Sequence, residues 1–234
     1  MRAPLREIKE LDPGCNHRRI LPDLSTRPIS RWVRRTRGYP LGSPLHGNVC
    51  GDPVLGPVLA YWERKCGARL MPARRDIDAT ELPASLLPYL QITERIEGSE
   101  RMRYRLVGTG IVEAYGADLT GKYMDEIYKG PRLRYVEANY RAVCESRSPV
   151  LVVNRYHSRR SVSLVCHRLV MPLAEDGATV RQFLTAMRFE FPGDAVEWRG
   201  TWFGNSGNFD YAHSYSGVVE RQRLLRAPGA GGFD

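Results

Sequence analysis

Apolar and polar residues alternate with a regular period between about residues 54 and 192, and the segments on either side lack such a period. The first regular stretch predicts a helix, because its apolar residues recur with the spacing of one helix face. Asp52 and Pro53 are typical of a helix start, and Gly67 is typical of a helix end. The apolar residues of this face are Val54, Leu55, Val58, Leu59, Trp62 and Cys66.

A β-hairpin is predicted after this helix, with strands over 90–96 and 101–107. Gly98 lies in the turn between them, where glycine is suited to a positive φ. In the second strand, arginines alternate with apolar residues, and a period of two places the apolar residues on the core face. Those core-facing residues are Met102, Tyr104 and Leu106.

The remaining elements complete the order of an α+β domain. Short helices are expected over 79–87, 111–115 and 122–128. A longer helix is expected over 131–144, where Pro131 suits the first turn. Three further strands are expected over 150–156, 162–173 and 180–191. Two strands, several helices and three strands therefore form a single domain over 54–192.

The two flanking segments are predicted to be flexible. Residues 1–50 are rich in proline, and residues 193–234 are rich in Gly, Ser and Asn. The N-terminal arm is also basic, since residues 1–53 hold 10 Lys and Arg against 5 Asp and Glu. Its charges are scattered among prolines and alternate only sparsely with aromatic residues, so specific nucleic-acid binding is not expected. A start codon assigned too far upstream would also produce such an arm, so 1–50 are open to a second interpretation, as sequence outside the natural product.

Composition narrows the compartment and the chemistry. No stretch approaches the roughly 18 apolar residues of a membrane span, and the N-terminus lacks the apolar core of a secretory signal, so the expected compartment is the cytoplasm. The five cysteines are widely spaced and include no C-x-x-C pair, which disfavours a zinc knuckle and a redox dithiol. Neither a metal nor a membrane partner is predicted.

No catalytic motif is present. The G-x-G at Gly108–Gly110 has Glu113 where a dinucleotide-binding loop needs a third glycine, so it is interpreted as a flexible corner after the hairpin. Cys166 and His167 are adjacent in a strand and point to opposite faces, which prevents them from sharing a metal ion. There is no G-x-S-x-G elbow, and the chain is not expected to be an enzyme.

The order of elements resembles the PAS fold, and five short motifs resemble a family of stand-alone PAS domains found mainly in alphaproteobacteria. The resemblance implies a five-stranded antiparallel sheet with helices on one face, which enclose a small pocket, and an N-terminal flanking helix. It covers about residues 54–192. The motifs are Tyr61-Trp62-Glu63, Pro72–Asp78, Leu86–Leu90, Tyr104–Thr109 and Asp118–Gly121.

The resemblance also implies sensing or protein interaction, often through dimers. PAS domains that bind haem commonly use a histidine of the long helix, and residues 131–146 contain none. Those that bond flavin use a cysteine in an Asn-Cys-Arg context, whereas Cys144 stands in Val-Cys-Glu and Cys166 in Val-Cys-His. Haem and covalent flavin are therefore both disfavoured, and no cofactor is predicted.

Two functions remain open at this point. The first is a regulatory module that acts through protein–protein interaction, as a homodimer or with an unknown partner protein, through a face of the first helix formed by Leu55, Leu59, Tyr61 and Trp62. The second is a sensor that binds a small molecule in an apolar pocket. Its predicted lining residues are Tyr104, Leu106, Tyr115, Tyr140 and Cys166.

Overall fold

A computed structural model of the chain describes residues 49–158, 163–190 and 209–219. Their strands form one sheet in the spatial order β2-β1-β5-β4-β3-β6, and every neighbouring pair is antiparallel. The strands are β1 (Leu90–Arg95), β2 (Met102–Val107), β3 (Val150–Ser158), β4 (Ser163–Leu173), β5 (Gln182–Glu190) and β6 (Phe209–Val218).

The α-helices that lie wholly within the described residues are α1 (Leu55–Cys66), α2 (Thr109–Tyr115), α3 (Met124–Ile127) and α4 (Gly130–Ser146). Asp52 Oδ1 accepts hydrogen bonds from the backbone N–H groups of Val54 and Leu55, at 2.9 and 2.8 Å, and this confirms its predicted capping role. The predicted short helix over 79–87 is instead two 3₁₀ turns, Ala79–Glu81 and Ala84–Tyr89. Pro83 lies between these turns, and without a backbone N–H it cannot supply an α-helical hydrogen bond there.

The sheet is covered by helices on both faces. On β5, Arg188 contacts Asp52 at the start of α1, and α1 packs on β4 and β5. On β4, Arg168 points the other way and contacts Tyr115 of α2. These contacts lie on opposite faces, since successive strand residues point to opposite sides of a sheet. The face towards α1 is called the outer face, and the face towards α2–α4 is called the inner face. The expected antiparallel sheet with helices on one face and a separate flanking helix is confirmed.

The sixth strand was not predicted. Residues 209–218 lie within the segment 193–234 that the sequence suggested is flexible, yet their backbone pairs with the whole length of β3. Without this strand β3 would be an edge, and its free backbone N–H and C=O groups are a template for another strand. Such pairing depends on a partner distant in sequence rather than on local periodicity. The predicted arm up to residue 48, and residues 193–208 and 220–234 of the tail, lie outside the described residues.

Gly108 is required by a close approach of two backbone segments. It joins β2 to α2 with an ordinary φ of −66°, and its backbone N–H donates to the Leu90 carbonyl at 2.8 Å. A Cβ atom at this position would lie 2.4 Å from the carbonyl oxygen of Pro88 and 2.6 Å from that of Leu87. The interpretation of this corner as flexible is therefore replaced by a packing constraint, which excludes any side chain.

Gly108→Ala is expected to lower the free energy of unfolding by about 2–3 kcal/mol, because the added methyl group can be accommodated only by moving backbone. Urea denaturation followed by circular dichroism measures the loss. Gly110→Ala is the matched control, since its Cβ would lie 3.0 Å from a Tyr89 side-chain atom and 3.2 Å from the Pro88 carbonyl oxygen, against 2.4 Å from that oxygen at Gly108, and alanine is favourable in a helix. Equal losses in the two variants would contradict the packing explanation.

Candidate functional site

The inner face of the sheet carries a group of buried polar side chains. Thr93 and Thr185 have no exposed surface, and Gln91 is 2% exposed. β4 adds Cys166, which is 1% exposed, and Arg168, which is 6% exposed. These residues lie on the adjacent strands β1, β5 and β4 and share one face. Gln91 is paired with Thr185, and Thr185 is paired with Val170 of β4. Arg168 and Cys166 lie two and four residues before Val170 and therefore point to the same face. They form a polar surface beneath α2–α4, here called the inner polar cluster.

Four tyrosines cover the inner polar cluster, three from the helical side and one from the neighbouring strand β2. Tyr115, Tyr128 and Tyr140 are buried on the helical side, and Tyr104 is buried on β2. The Tyr115 and Tyr128 hydroxyl oxygens are 3.1 Å apart, and Nη2 of Arg168 donates to the Tyr115 hydroxyl at 2.9 Å. Arg168 and these hydroxyls therefore form a hydrogen-bonded chain from the sheet to the helices.

Tyr140 joins the helical layer to β1 and β5. Its ring meets the Phe183 ring edge to face, with centroids 4.8 Å apart, and its hydroxyl lies 3.4 Å from Thr93 Oγ1 and from Gln91 Nε2. Gln91 Nε2 also donates to Thr93 Oγ1 at 2.9 Å. The 3.4 Å contacts are long for hydrogen bonds, so Tyr140 is held mainly by ring packing and less by its hydroxyl.

Burial keeps the side chains of Tyr104, Tyr115 and Cys166 neutral at physiological pH. Burial, and then the nearby Tyr128, raises the pKa of Tyr115 well above its ordinary value, and the same causes act on Tyr104. Burial also raises the pKa of Cys166 to about 11, which leaves the thiol protonated and a poor nucleophile. A guanidinium keeps its proton in proteins, so Arg168 carries the only charge of the inner polar cluster.

Four of the five predicted pocket residues meet at this site. Tyr104, Tyr115, Tyr140 and Cys166 are all buried around Arg168, whereas Leu106 is 46% exposed and lies outside the cluster. The prediction for Leu106 was wrong because β2 contains a bulge. Ile92 pairs with Leu106 and Thr93 with Tyr104, so Arg105 is an extra residue that reverses the alternation beyond it.

The predicted docking face of α1 is buried within the chain's own fold. Leu55, Leu59, Tyr61 and Trp62 are each at most 1% exposed. Trp62 Nε1 donates to the Pro172 carbonyl at 2.9 Å, and the Tyr61 hydroxyl bonds the backbone of Asp78. The interface prediction is therefore corrected: a helix with one apolar face can pack on its own sheet or on a partner, and here it packs on the outer face of the sheet.

Arg168, Tyr128 and the polar residues of β1 and β5 were not predicted from the sequence. One signal was available, since His167 and Arg168 interrupt an otherwise apolar stretch of β4. A charged residue beside a histidine on a central strand is unusual and indicates that both faces make specific polar contacts.

Two clefts, of ≈ 150 and ≈ 120 Å³, open between the β1–β2 hairpin and α4, the larger one also lined by α3, and their lining residues do not belong to the inner polar cluster.

Comparison with known families agrees with this architecture. A family model described as "PAS domain" matches residues 53–188, which is more than half of the chain. The chain belongs to the PAS domain family. Proteins of this family are sensory and signalling modules, and the inner polar cluster lies between the sheet and the helices of the PAS domain.

One solved structure similar to this PAS domain is described as "Flavin Analogue Sheds Light on Light-Oxygen-Voltage Domain Mechanism". The two are 15% identical with a TM-score of 0.33, over 44% of this chain and 77% of the other. No curated protein matches the chain.

Within the described residues, no helix is long and apolar enough to cross a membrane, and no three His, Cys, Asp or Glu residues are placed to hold a metal ion.

A second group of polar side chains, partly buried, lies on the outer face and links the start of α1 to β4 and β5. Asp52 contacts Arg188 Nε, and Arg188 Nη2 lies 2.6 Å from Glu190 Oε1. The same Glu190 oxygen lies 3.2 Å from His167 Nε2. Burial, together with the positive charge of Arg188, lowers the pKa of His167 below 6.5, and this effect exceeds the opposite effects of Glu190 and Asp52.

The PAS domain is expected to lose stability as the pH falls below about 6.5, in part because of His167. The unfolded chain binds a proton at His167 before the folded protein does, so acid favours unfolding; the full contribution is present above this pH. Urea denaturation at pH ~7.5 and pH ~5.5 measures the change, and His167→Gln should reduce it. An identical change in both proteins would contradict the assignment.

Proposed function

We propose that this PAS domain is a sensory module that binds a small polar molecule between the inner face of its sheet and helices α2–α4. The supporting observation is the inner polar cluster itself. Burying polar groups costs free energy unless each is well hydrogen-bonded, and an apolar interior of the same volume would serve stability equally well or better. Residues that break the rules of a stable core are expected where a protein has a binding task.

The chemistry of the cluster changes the kind of ligand that fits. The sequence suggested an apolar pocket, but the inner face presents the side chains of Gln91, Thr93, Thr185 and Arg168 together with tyrosine hydroxyls. Such a lining orients a ligand through hydrogen bonds, and the tyrosine rings provide flat apolar contact. The proposed ligand is therefore polar at one end and need not be an aliphatic molecule.

Mass spectrometry of the full chain, purified gently from its native cell, tests this function. We expect a small molecule to be released on denaturation, and its addition back should raise the melting temperature. Tyr140→Phe removes the hydroxyl near Thr93 and Gln91 and keeps the ring contact with Phe183, so the variant should fold and bind more weakly. An empty protein that no metabolite mixture stabilises would overturn the proposal.

We propose that the site works without haem and without covalently bonded flavin. Helix α4 contains no histidine, and Cys166 is a protonated thiol on β4 beside Arg168. A haem absorbance band, or a flavin band that bleaches on illumination as a cysteinyl adduct forms, would contradict this part. The site also lacks an activated nucleophile among the described residues, which supports a binding module rather than an enzyme.

The output of the module is proposed to pass through a protein partner or through self-association. The apolar face of α1 is occupied by the sheet, so a partner must use a different surface. Light scattering of the full chain over a range of concentrations, with and without the released ligand, tests self-association. A strict monomer under both conditions would rule out the homodimer and leave a separate partner protein.

A further inference from the structure

Arg168 is a buried cation with no acidic partner among the described residues. It lies on β4, between β3 and β5, and its cross-strand neighbours are the uncharged Val152 and Met187. Within the described part of the chain, its side chain donates from Nη2 to the Tyr115 hydroxyl at 2.9 Å, and its Nε has no hydrogen-bond partner although it is fully buried. By contrast, the outer-face residue Arg188 pairs with two carboxylates.

Tyr104 and Tyr115 do not neutralise Arg168. Burial raises the pKa of Tyr115 and Tyr104 well above their ordinary values, so their hydroxyls stay protonated. A hydroxyl dipole solvates a guanidinium only in part, and a buried charge without a counterion is among the most costly features of a protein interior. The position of Arg168 therefore indicates that a negative charge is supplied from outside the described residues.

We propose that Arg168 recognises the carboxylate group of a small organic monoanion, which is the ligand of the sensory site. This inference rests on the proposed function, and it assigns the chemical class that the inner polar cluster binds. Nε and Nη2 lie on the same edge of a guanidinium, and that edge matches the two oxygens of a carboxylate. In Arg168, Nε is unpartnered within the described residues and Nη2 is held by a hydroxyl that can turn to the ligand.

A carboxylate fits this site better than a phosphate. Arg168 brings one positive charge, and the other residues that define the inner polar cluster are uncharged. A monoanionic carboxylate balances that charge, whereas a phosphate monoester carries close to two negative charges and would leave one uncompensated in a water-poor interior. Tyr115, Thr93 and Gln91 can hydrogen-bond the remaining part of the ligand.

Ligand binding at this edge would reach the helices directly. The Tyr115 hydroxyl contacts both Nη2 of Arg168 and the Tyr128 hydroxyl, at 2.9 and 3.1 Å. Tyr115 is the last residue of α2, and Tyr128 follows the end of α3. Nη2 carries two N–H groups, so the Tyr115 hydroxyl either keeps one of them or turns to donate to the carboxylate. In both cases the ligand would lie beside the contact between these two helices.

Thermal unfolding of the full chain with matched probes tests the assignment. The probes are acetate, propionate and benzoate against acetamide, propionamide and benzamide, at constant ionic strength. At roughly 100 times its Kd, a bound carboxylate should raise the melting temperature by about 5 °C or more, and its amide should not. Arg168→Met should abolish this rise, and Arg181→Met, whose side chain is 49% exposed and pairs with Glu97, should keep it.

Arg168→Lys keeps the positive charge and removes the pair of N–H donors that matches a carboxylate, so it replaces the methionine variant if that variant does not fold. We expect its Kd for the carboxylate to rise about 10-fold or more. Equal stabilisation by acids and amides, retained affinity in Arg168→Lys, or no response to any acid would overturn the carboxylate assignment. Release of an uncharged molecule from the native protein would also overturn it, while the sensory function would stand. A protein that releases nothing and responds to nothing contradicts both.

Discussion

Trp62→Ala is expected to lower the free energy of unfolding by about 4 kcal/mol, the largest loss expected for a single substitution in α1. Trp62 has no exposed surface, and its indole Nε1 donates to the Pro172 carbonyl of β4 at 2.9 Å. The substitution removes a large apolar contact between α1 and the outer face, and it leaves a buried carbonyl without its donor. Urea denaturation at several protein concentrations measures the effect.

Trp62→Phe is the matched control for this experiment. It retains most of the ring contact and removes the indole N–H, so its loss should be about 1–2 kcal/mol. The two variants together separate packing from the hydrogen bond. A Trp62→Ala protein of unchanged stability that dissociates from a dimer would show instead that this residue serves an interface, as the sequence alone suggested.

Asp52→Ala is expected to cost about 3 kcal/mol, because one carboxylate performs two tasks. Its Oδ1 caps the backbone N–H groups of Val54 and Leu55, and its Oδ2 pairs with Arg188 of β5. Loss of a cap costs about 1 kcal/mol, and loss of one partner of a largely buried ion pair costs more. Arg188 keeps Glu190 as a second partner, which limits the loss.

Asp52→Asn separates the two contributions, since asparagine caps a helix as well as aspartate does but carries no charge. We expect this variant to lose only the part due to the ion pair. In an Arg188→Met background the effect of Asp52→Asn should shrink, which a double-mutant cycle in urea measures. Additive losses would show that the pair contributes nothing, and the assigned role of Arg188 would then be wrong.

Asp52 and Trp62 hold α1 to the sheet at two separate positions. Asp52 ties the start of the helix to β5, and Trp62 ties its last turns to the end of β4. On β4, His167 faces this outer network and Arg168 faces the inner polar cluster. The proposed ligand site and α1 therefore lie on opposite faces of the same strand, separated only by the thickness of the sheet.

Local patterns in the sequence predicted most of the elements of the PAS domain. The hairpin and its turn are as expected, with Gly98 at a φ of +70°, and the long helix has Pro131 in its first turn. The three following strands lie close to their predicted ranges. These features could be predicted because caps, turns and side-chain periods depend on residues a few positions apart.

The sequence also brought together Tyr104, Tyr115, Tyr140 and Cys166 as pocket residues, once the order of elements placed them on one side of the sheet. It failed at Leu106, because the bulge at Arg105 depends on the register with β1. It also assigned the apolar face of α1 to a partner, since periodicity shows that a helix has a face to bury and does not show what covers it.

Only the tertiary structure decided the character of the site. Arg168 is one of 35 Lys and Arg residues in the sequence. Its place beside His167 in an apolar strand indicates polar contacts, but it does not show that this charge is enclosed by tyrosines from β2, α2, α4 and the end of α3. The pairing of β6 with β3 was equally invisible. Amphipathic period and turn chemistry are local and so could be taken from the sequence. The environment of a buried charge and the pairing of distant strands are set by residues far apart in the chain, and they exist only once it is folded.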